Sequence, residues 1–194
     1  MTGGTHTGGF AGHIDTGTYT DCAAFGKVIG YHGNTGGFAG NTTNEFTISR
    51  SMALGTVSDT SANVGGFIGE LNENNTVENS YALTKIDDSI DYQGNFIGYS
   101  HSCNIRHCYC SSGALVIGMS AGSVSYTNLM TLTFATIDGK KGITPCYEIG
   151  TVPLIEELGT TNWREMACTL DIGDGEKLYT IPLPKTISPV LCEE

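Results

Sequence analysis

Gly36-Gly37-Phe38-Ala39-Gly40 is the stretch that decides how this chain folds, because close copies of it recur along the sequence. The copies are Gly8–Gly12, Gly65–Gly69 and Gly94–Gly98, the last with Asn95 in place of a glycine. Their phenylalanines stand at positions 10, 38, 67 and 96, so the spacing is 28, 29 and 29 residues. A fixed period of this length is typical of a solenoid, in which each repeat forms one coil stacked on the next.

A second box follows each glycine box and has the pattern apolar-x-x-small-x-small. It begins at Tyr19, Ile48, Val77 and Ile105. These short segments cannot bury an apolar face alone, but stacked copies bury a continuous core and pair their backbones about every 4.8 Å. No helical apolar spacing survives across a repeat. We therefore predict an all-β fold, a right-handed parallel β-helix (β-solenoid) of about five coils, its hand following the rule for β crossovers.

The repeat also predicts which residues hold the coils together. They are the phenylalanine and closing glycine of each glycine box and the first apolar residue of the second box. These structural positions are Phe10, Phe38, Phe67, Phe96, Gly12, Gly40, Gly69, Gly98, Ile48, Val77 and Ile105. We expect the glycines at corners, where they allow a positive φ and a close approach of two backbones.

The period divides the chain into two regions. Repeats fill residues 1–128, with starts near 8, 36, 65, 94 and 115, and a capping region follows at 129–194. The fifth repeat is degenerate, because Val116-Ile117-Gly118 follows Phe96 after only 20 residues. The cap is predicted to hold strands at 129–134, 170–172 and 178–183. It is also predicted to hold one short helix over Thr151–Gly159, with Thr151 as its N-cap and Gly159 at its end. Trp163, the only tryptophan, is expected to close the open end of the solenoid.

The composition and charge of the chain limit the kinds of partner that it can bind. The 194 residues carry 20 acidic side chains against 9 Lys and Arg, a net charge of −11, which argues against nucleic acid as a partner. No apolar run approaches the roughly 18 residues of a membrane-spanning helix, so we expect no membrane insertion. The N-terminus lacks the pattern of a signal peptide and lies almost inside a repeat. We interpret the chain as a piece of a longer protein with further repeats or domains, and expect a monomer.

At the two boxes the sequence resembles the GLUG repeat, named for a Gly-Leu-apolar-Gly motif and found in large bacterial surface proteins. The resemblance covers roughly residues 8–128, and Ser80-Tyr81-Ala82 is close to the second box of that family. It implies an extracellular or cell-surface location and a structural or adhesive role. The module would act as a rigid stalk, or would present a face to a glycan, a host protein or an extracellular-matrix protein. The family supplies no agreed catalytic residue to carry over.

Two other functions stay open. Parallel β-helices also host polysaccharide lyases and hydrolases, which need acidic groups, and usually Lys or Arg, converging in one groove. When the repeats are aligned, each set of equivalent positions, here called a column, carries Gly, Ser, Ala or aromatic residues instead. The third possibility is a spacer domain of a secreted peptidase. Because the aligned repeats show no converging acidic and basic residues, the sequence predicts a non-catalytic module without a cofactor.

Two clusters of metal-ligand residue types occur, although the sequence predicts no metal site. Asp87, Asp88 and Asp91 share one loop and offer oxygen ligands for Ca²⁺, but without the spacing of a known calcium loop. The second cluster has no recognised zinc spacing. It consists of His101, Cys103, His107, Cys108 and Cys110.

The column alignment favours a packing role for the cysteines. Cys22 and Cys108 occupy the position that Ser51 and Ser80 hold in other repeats, and Cys110 stands where the others have alanine. Cysteine thus replaces small residues, as a compact hydrophobe does. Cys22 and Cys108 are three coils apart, about 14 Å at the rung spacing. We therefore predict no disulfide between them.

Overall fold

A computed structural model describes residues 1–43, 45–60, 63–87, 92–111, 115–135, 146–149, 152–171 and 175–187. This part of the chain is almost entirely β-structure, with one helix of five residues. Parallel strands are stacked coil upon coil, so the predicted β-solenoid is confirmed. Its right-handed sense stays a prediction from the crossover rule.

Each of the first three coils carries four separate strands. The first coil holds β1 (His6–Gly8), β2 (Ala11–Ile14), β3 (Gly17–Thr20) and β4 (Ala23–Ile29). The second holds β5 (Asn34–Gly36), β6 (Ala39–Thr42), β7 (Phe46–Ser49) and β8 (Met52–Ser58). The third holds β9 (Val64–Gly65), β10 (Ile68–Leu71), β11 (Thr76–Glu78) and β12 (Tyr81–Ile86).

The later coils are shorter. The fourth holds β13 (Gln93–Gly94), β14 (Ile97–Ser100) and β15 (Asn104–Ser111), and β15 pairs with both β11 and β12 of the coil before. The fifth holds only β16 (Ile117–Ser120) and β17 (Ser125–Ala135). The sequence predicts about five coils, whereas the structure has three complete coils and two reduced ones.

The strand register follows the alignment of the sequence boxes. Ile48 pairs with Tyr19 on one side and with Val77 on the other, and Val77 pairs with Ile105. The glycine-box phenylalanines form a stack of rings whose centroids lie 4.7, 4.8 and 5.0 Å apart. These distances match the separation of neighbouring strands in a sheet, so each coil adds one ring to a continuous ladder. The order along this phenylalanine ladder is Phe10, Phe38, Phe67 and Phe96.

The closing glycines allow two sheets to lie against each other. A Cβ added at Gly40 would lie 2.4 Å from the backbone nitrogen of Thr7 and 2.7 Å from the carbonyl oxygen of Asn34. No side chain fits in that space. The sheet built from β1, β5, β9 and β13 therefore packs backbone to backbone on the sheet that contains β6.

Another corner of the coil uses residues other than glycine. One residue per coil adopts a left-handed conformation, with φ between 47° and 56°, directly before the small residue of the second box or its counterpart. These residues are Asp21, Arg50, Asn79, His107 and Asn128. None of the closing glycines has a positive φ, so the prediction of positive-φ corners is wrong for them, and it also missed this column. Its sequence signal is the recurrent Asn or Asp, since these side chains tolerate the left-handed region better than most.

The cap consists of two small antiparallel units and the helix. Its elements are β18 (Cys146–Ile149), β19 (Val152–Pro153), α1 (Leu154–Leu158), β20 (Trp163–Asp171) and β21 (Glu176–Pro184). β17 runs through the boundary predicted at residue 128 and pairs with β18, and β20 pairs with β21 as a hairpin. The predicted helix is present but begins at Leu154, because Val152–Pro153 pairs with β18 as a strand. Gly159 follows the helix at φ 88°, while Thr151 and Ile172 lie outside the described residues.

Trp163 does not close the end of the solenoid, so that prediction is wrong. Its buried ring lies 5.7 Å from the ring of Tyr81, on the outer flank of the third coil. The hairpin covers outward-facing apolar side chains of successive coils, among them Met52 and Leu54. The hydroxyl of Tyr81 donates a hydrogen bond to the carbonyl oxygen of Pro182 and ties the hairpin to this flank.

Candidate functional site

A column of outward-facing side chains runs along the sheet formed by β2, β6, β10, β14 and β16, and it is exposed at its two ends and partly buried between them. In the first four of these strands the third residue is the most exposed, and in β16 it is exposed as well. The register places these residues side by side in the order His13, Asn41, Glu70, Tyr99 and Met119. The first two positions of the same strands carry only Ala or Ile and then only Gly. The outward-facing column therefore changes chemistry at every coil while its neighbours do not.

A chain of hydrogen bonds fixes the polar part of this surface. Asn63 Nδ2 donates to Asn34 Oδ1 at 2.9 Å, and Asn34 Nδ2 in turn donates to Glu70 Oε2. His101 Nε2 lies 3.3 Å from the other carboxylate oxygen, Glu70 Oε1. The side chain of Glu70 is 21% exposed and has a partner on each oxygen, so its orientation is set by groups from the coils on either side.

Aromatic rings continue the surface beside Glu70. The ring of Tyr99 meets that of His101 edge-on with centroids 5.0 Å apart, and it meets that of Tyr92 in the same way at 6.1 Å. Tyr92 is 41% exposed. We call this surface the amide–aromatic face, defined by Asn34, Asn63, Glu70, Tyr92, Tyr99 and His101.

The calcium candidates are not assembled into a site by the described residues. The carboxylate of Asp87 lies 3.4 Å from Lys85 Nζ, and both side chains are partly exposed. Asp88 and Asp91 lie outside the described residues.

The zinc-type ligands are separated by the fold. His101 contacts Glu70 on the surface, and Nδ1 of His107 lies 3.1 Å from Nδ2 of Asn128 at an exposed corner. Cys103, Cys108 and Cys110 are buried in the core. Within the ranges that the structure describes, no three or more His, Cys, Asp or Glu residues are grouped to hold a metal ion.

The cysteines of the second box belong to a hydrogen-bonded ladder. Cys108 Sγ lies 3.3 Å from the carbonyl oxygen of Arg106, just as Ser80 Oγ donates to the carbonyl of Glu78 at 2.8 Å. Burial raises the pKa of Cys108 and of Cys110 to about 12. Cys22 and Cys108 are both free thiols. Ser51 and Ser80, from the two coils in between, separate them in the column, which agrees with the prediction that no disulfide joins them.

Among the described residues, cavities also lie away from this face. One of about 360 Å³ separates the hairpin from the flank of β4 and β8, with Phe25 and Leu54 on its walls and Lys27, Asp171 and Glu176 among its charged residues. Another, of about 400 Å³, lies at the last coil. Its lining is mainly apolar and includes Val116, Ile117, Val124, Tyr126 and Leu129.

No protein-family model, curated protein or solved structure matches the chain. The resemblance to the GLUG repeat therefore stays a prediction. In the described part of the chain, no helix is both long and apolar enough to cross a membrane.

Proposed function

We propose that this chain is a non-catalytic structural and adhesive module of a larger bacterial surface or secreted protein. The observation that supports this proposal is the contrast between its inward and outward columns. The inward columns keep one kind of residue from coil to coil, aromatic in the phenylalanine ladder and apolar or small in the others, and they stack into a stiff, extended scaffold. The outward column of Glu70 and Tyr99 varies and is held in place by hydrogen bonds and ring contacts.

The proposal includes a location and a class of partner. An extracellular or cell-surface module would act as a stalk, or would present a face to a glycan, a host protein or an extracellular-matrix protein. The net charge of −11 disfavours nucleic acid, and the module is proposed to act as a monomer without a cofactor.

One observation favours the alternative, a carbohydrate-active enzyme. Asp171 and Glu176 are directly paired across the hairpin and line the same cavity as Lys27, so acidic and basic groups do meet in one groove. Both carboxylates are exposed, however, and Asp171 Oδ1 accepts a hydrogen bond from the backbone nitrogen of Gly175 at 3.2 Å, so this carboxylate is used to join the facing ends of the two strands. We therefore place the enzyme second, beside a spacer domain of a secreted peptidase.

Co-sedimentation with insoluble polysaccharides tests the proposal against this alternative. The purified chain is incubated with each polysaccharide, and the pellet is assayed for protein and the supernatant for new reducing ends and unsaturated sugars. We expect protein in the pellet with at least one polysaccharide and no released products. Product formation that is lost in Asp171→Asn and Glu176→Gln would establish the enzyme instead.

A further inference from the structure

We propose that the amide–aromatic face binds a neutral glycan whose chain lies across the second, third and fourth coils. The inference rests on the proposed adhesive function and names the face and the ligand class that the function would use.

The face combines the two kinds of contact that a sugar ring needs. The carboxylate of Glu70 has about four acceptor sites, of which Asn34 and His101 occupy one on each oxygen. The remaining sites suit a pair of neighbouring hydroxyl groups. Tyr92 and Tyr99 offer aromatic surface for the C–H side of a pyranose ring. Apolar surface with a few oriented polar groups is the usual composition of a small-molecule site.

The polar groups are organised before a ligand arrives. Asn34 is buried and is bonded both to Asn63 and to Glu70, so the amide and the carboxylate are held at a fixed separation. A ligand that binds there would not have to order these side chains, and that lowers the entropic cost of association.

The charge of the face selects among glycans. Its six residues include one carboxylate and neither Lys nor Arg, and the whole chain has a net charge of −11. An acidic glycan would be repelled at this surface. A protein partner fits less well, because the carboxylate of Glu70 lies between Asn34 and His101 within the face, and acidic side chains are depleted from the cores of protein interfaces.

The spacing of the coils sets the length of the ligand. Successive rungs are about 4.8 Å apart, as the centroid distances of the phenylalanine ladder also show. Asn34, Glu70 and Tyr99 stand on three consecutive rungs. A glycan that runs along the solenoid axis would therefore place roughly two or three sugar units on the face.

Isothermal titration of the whole chain with soluble oligosaccharides tests the inference. The probes are hexasaccharides of neutral glucose, mannose and N-acetylglucosamine chains, with an acidic oligogalacturonate for comparison. We expect a neutral probe to bind and the acidic one to bind at least tenfold more weakly. Glu70→Gln keeps the shape but removes the charged acceptor, and should weaken binding by about tenfold or more. Tyr99→Ala should weaken it to a similar degree through the loss of ring contact.

Matched control variants separate the face from the rest of the surface. Glu165→Gln on the hairpin and Tyr126→Ala on the last coil change the same residue types at exposed positions away from the face, and should bind within twofold of the wild type. Circular dichroism melts check that each variant is folded. If the wild type binds and Glu70→Gln binds equally well, the inference is overturned while the adhesive function stands. If no neutral probe binds, or only the acidic one does, the ligand class is wrong, and the co-sedimentation experiment then decides whether the chain binds any polysaccharide.

Discussion

Replacing Phe67 by alanine is expected to be among the most destabilising single changes in the solenoid. The side chain is fully buried, and its ring lies 4.8 Å from that of Phe38 and 5.0 Å from that of Phe96, at angles of 17° and 1°. A buried Phe→Ala substitution costs about 3–5 kcal/mol. Each aromatic pair contributes about 0.5–1.5 kcal/mol beyond the area buried, and Phe67 forms two such pairs. We therefore expect a loss near the upper end of that range in the free energy of unfolding.

Phe10→Ala is the matched control, because Phe10 belongs to the same column at its exposed end. Its ring is stacked on one phenylalanine only, at 4.7 Å, and the residue is 41% exposed. Partial burial predicts a loss of about 1–2 kcal/mol. Both variants are measured by urea unfolding followed by circular dichroism, with the slope compared as well as the midpoint, since coil stacks do not always unfold as one unit. Equal losses in the two variants, or less than about 1 kcal/mol for Phe67→Ala, would refute the ladder as a stabilising element.

Three further predictions concern backbone and thiol groups. Gly55→Ala should destabilise the chain by at least about 1 kcal/mol more than Gly26→Ala. Both glycines have a positive φ, but only at Gly55 would the new Cβ clash, because it would lie 2.2 Å from the carbonyl oxygen of Gly26. Equal losses of the free energy of unfolding in urea would contradict this. Burial raises the pKa of Cys108 from 9.0 to about 12, so the folded state loses stability as pH rises from about 9 towards 12. Cys108→Ser should lower that slope by up to about 1.4 kcal/mol per pH unit in unfolding measured across this range, and an unchanged slope would show that this thiol does not contribute. In native-state alkylation mapped by mass spectrometry, Cys22, which is only half-buried at the first coil, should react well before Cys108, and the reverse order would contradict the assigned register.

The period made most of the solenoid predictable from the sequence. A column such as Ile48, Val77 and Ile105 recurs at 28 or 29 residues because each coil must place an apolar side chain on the same core, and the register follows that spacing. The same logic explains why cysteine in the serine column forms the serine-type hydrogen bond.

The amide–aromatic face was only partly predictable in this way: the Asn34–Asn63 and Glu70–Tyr99 pairs follow the 29-residue period, but the hydrogen bonds of Glu70 do not. Asn34 and Glu70 are 36 residues apart, and Glu70 and His101 are 31 apart, so these contacts cross a corner diagonally instead of following a column. A search for the period therefore passes over them. A column on the outer side of the coils is also not required by core packing to repeat one kind of residue, so the residue types in it give no periodic pattern.

The true position of Trp163 could have been inferred from the sequence of β8. Met52 and Leu54 flank Ala53 in β8, so both faces of this strand carry apolar side chains. A strand that is apolar on both faces is covered on both sides. That pattern indicates that another element packs on the outer face of β8, as the hairpin does. The capping rule for solenoids, used alone, predicted instead that the tryptophan lies at the end of the stack.

A binding array of glycans and extracellular-matrix proteins, probed with the purified chain in Ca²⁺ and again in EDTA, is the most direct test of the central claim. The account predicts a discrete, saturable signal on neutral glycans that is the same in both buffers, because the proposed binding site on the amide–aromatic face uses Glu70 and Tyr99 and no cation. A blank array would contradict the adhesive function and leave only a stalk. A signal that disappears in EDTA would move the site from this face to a calcium-binding loop such as that of Asp87.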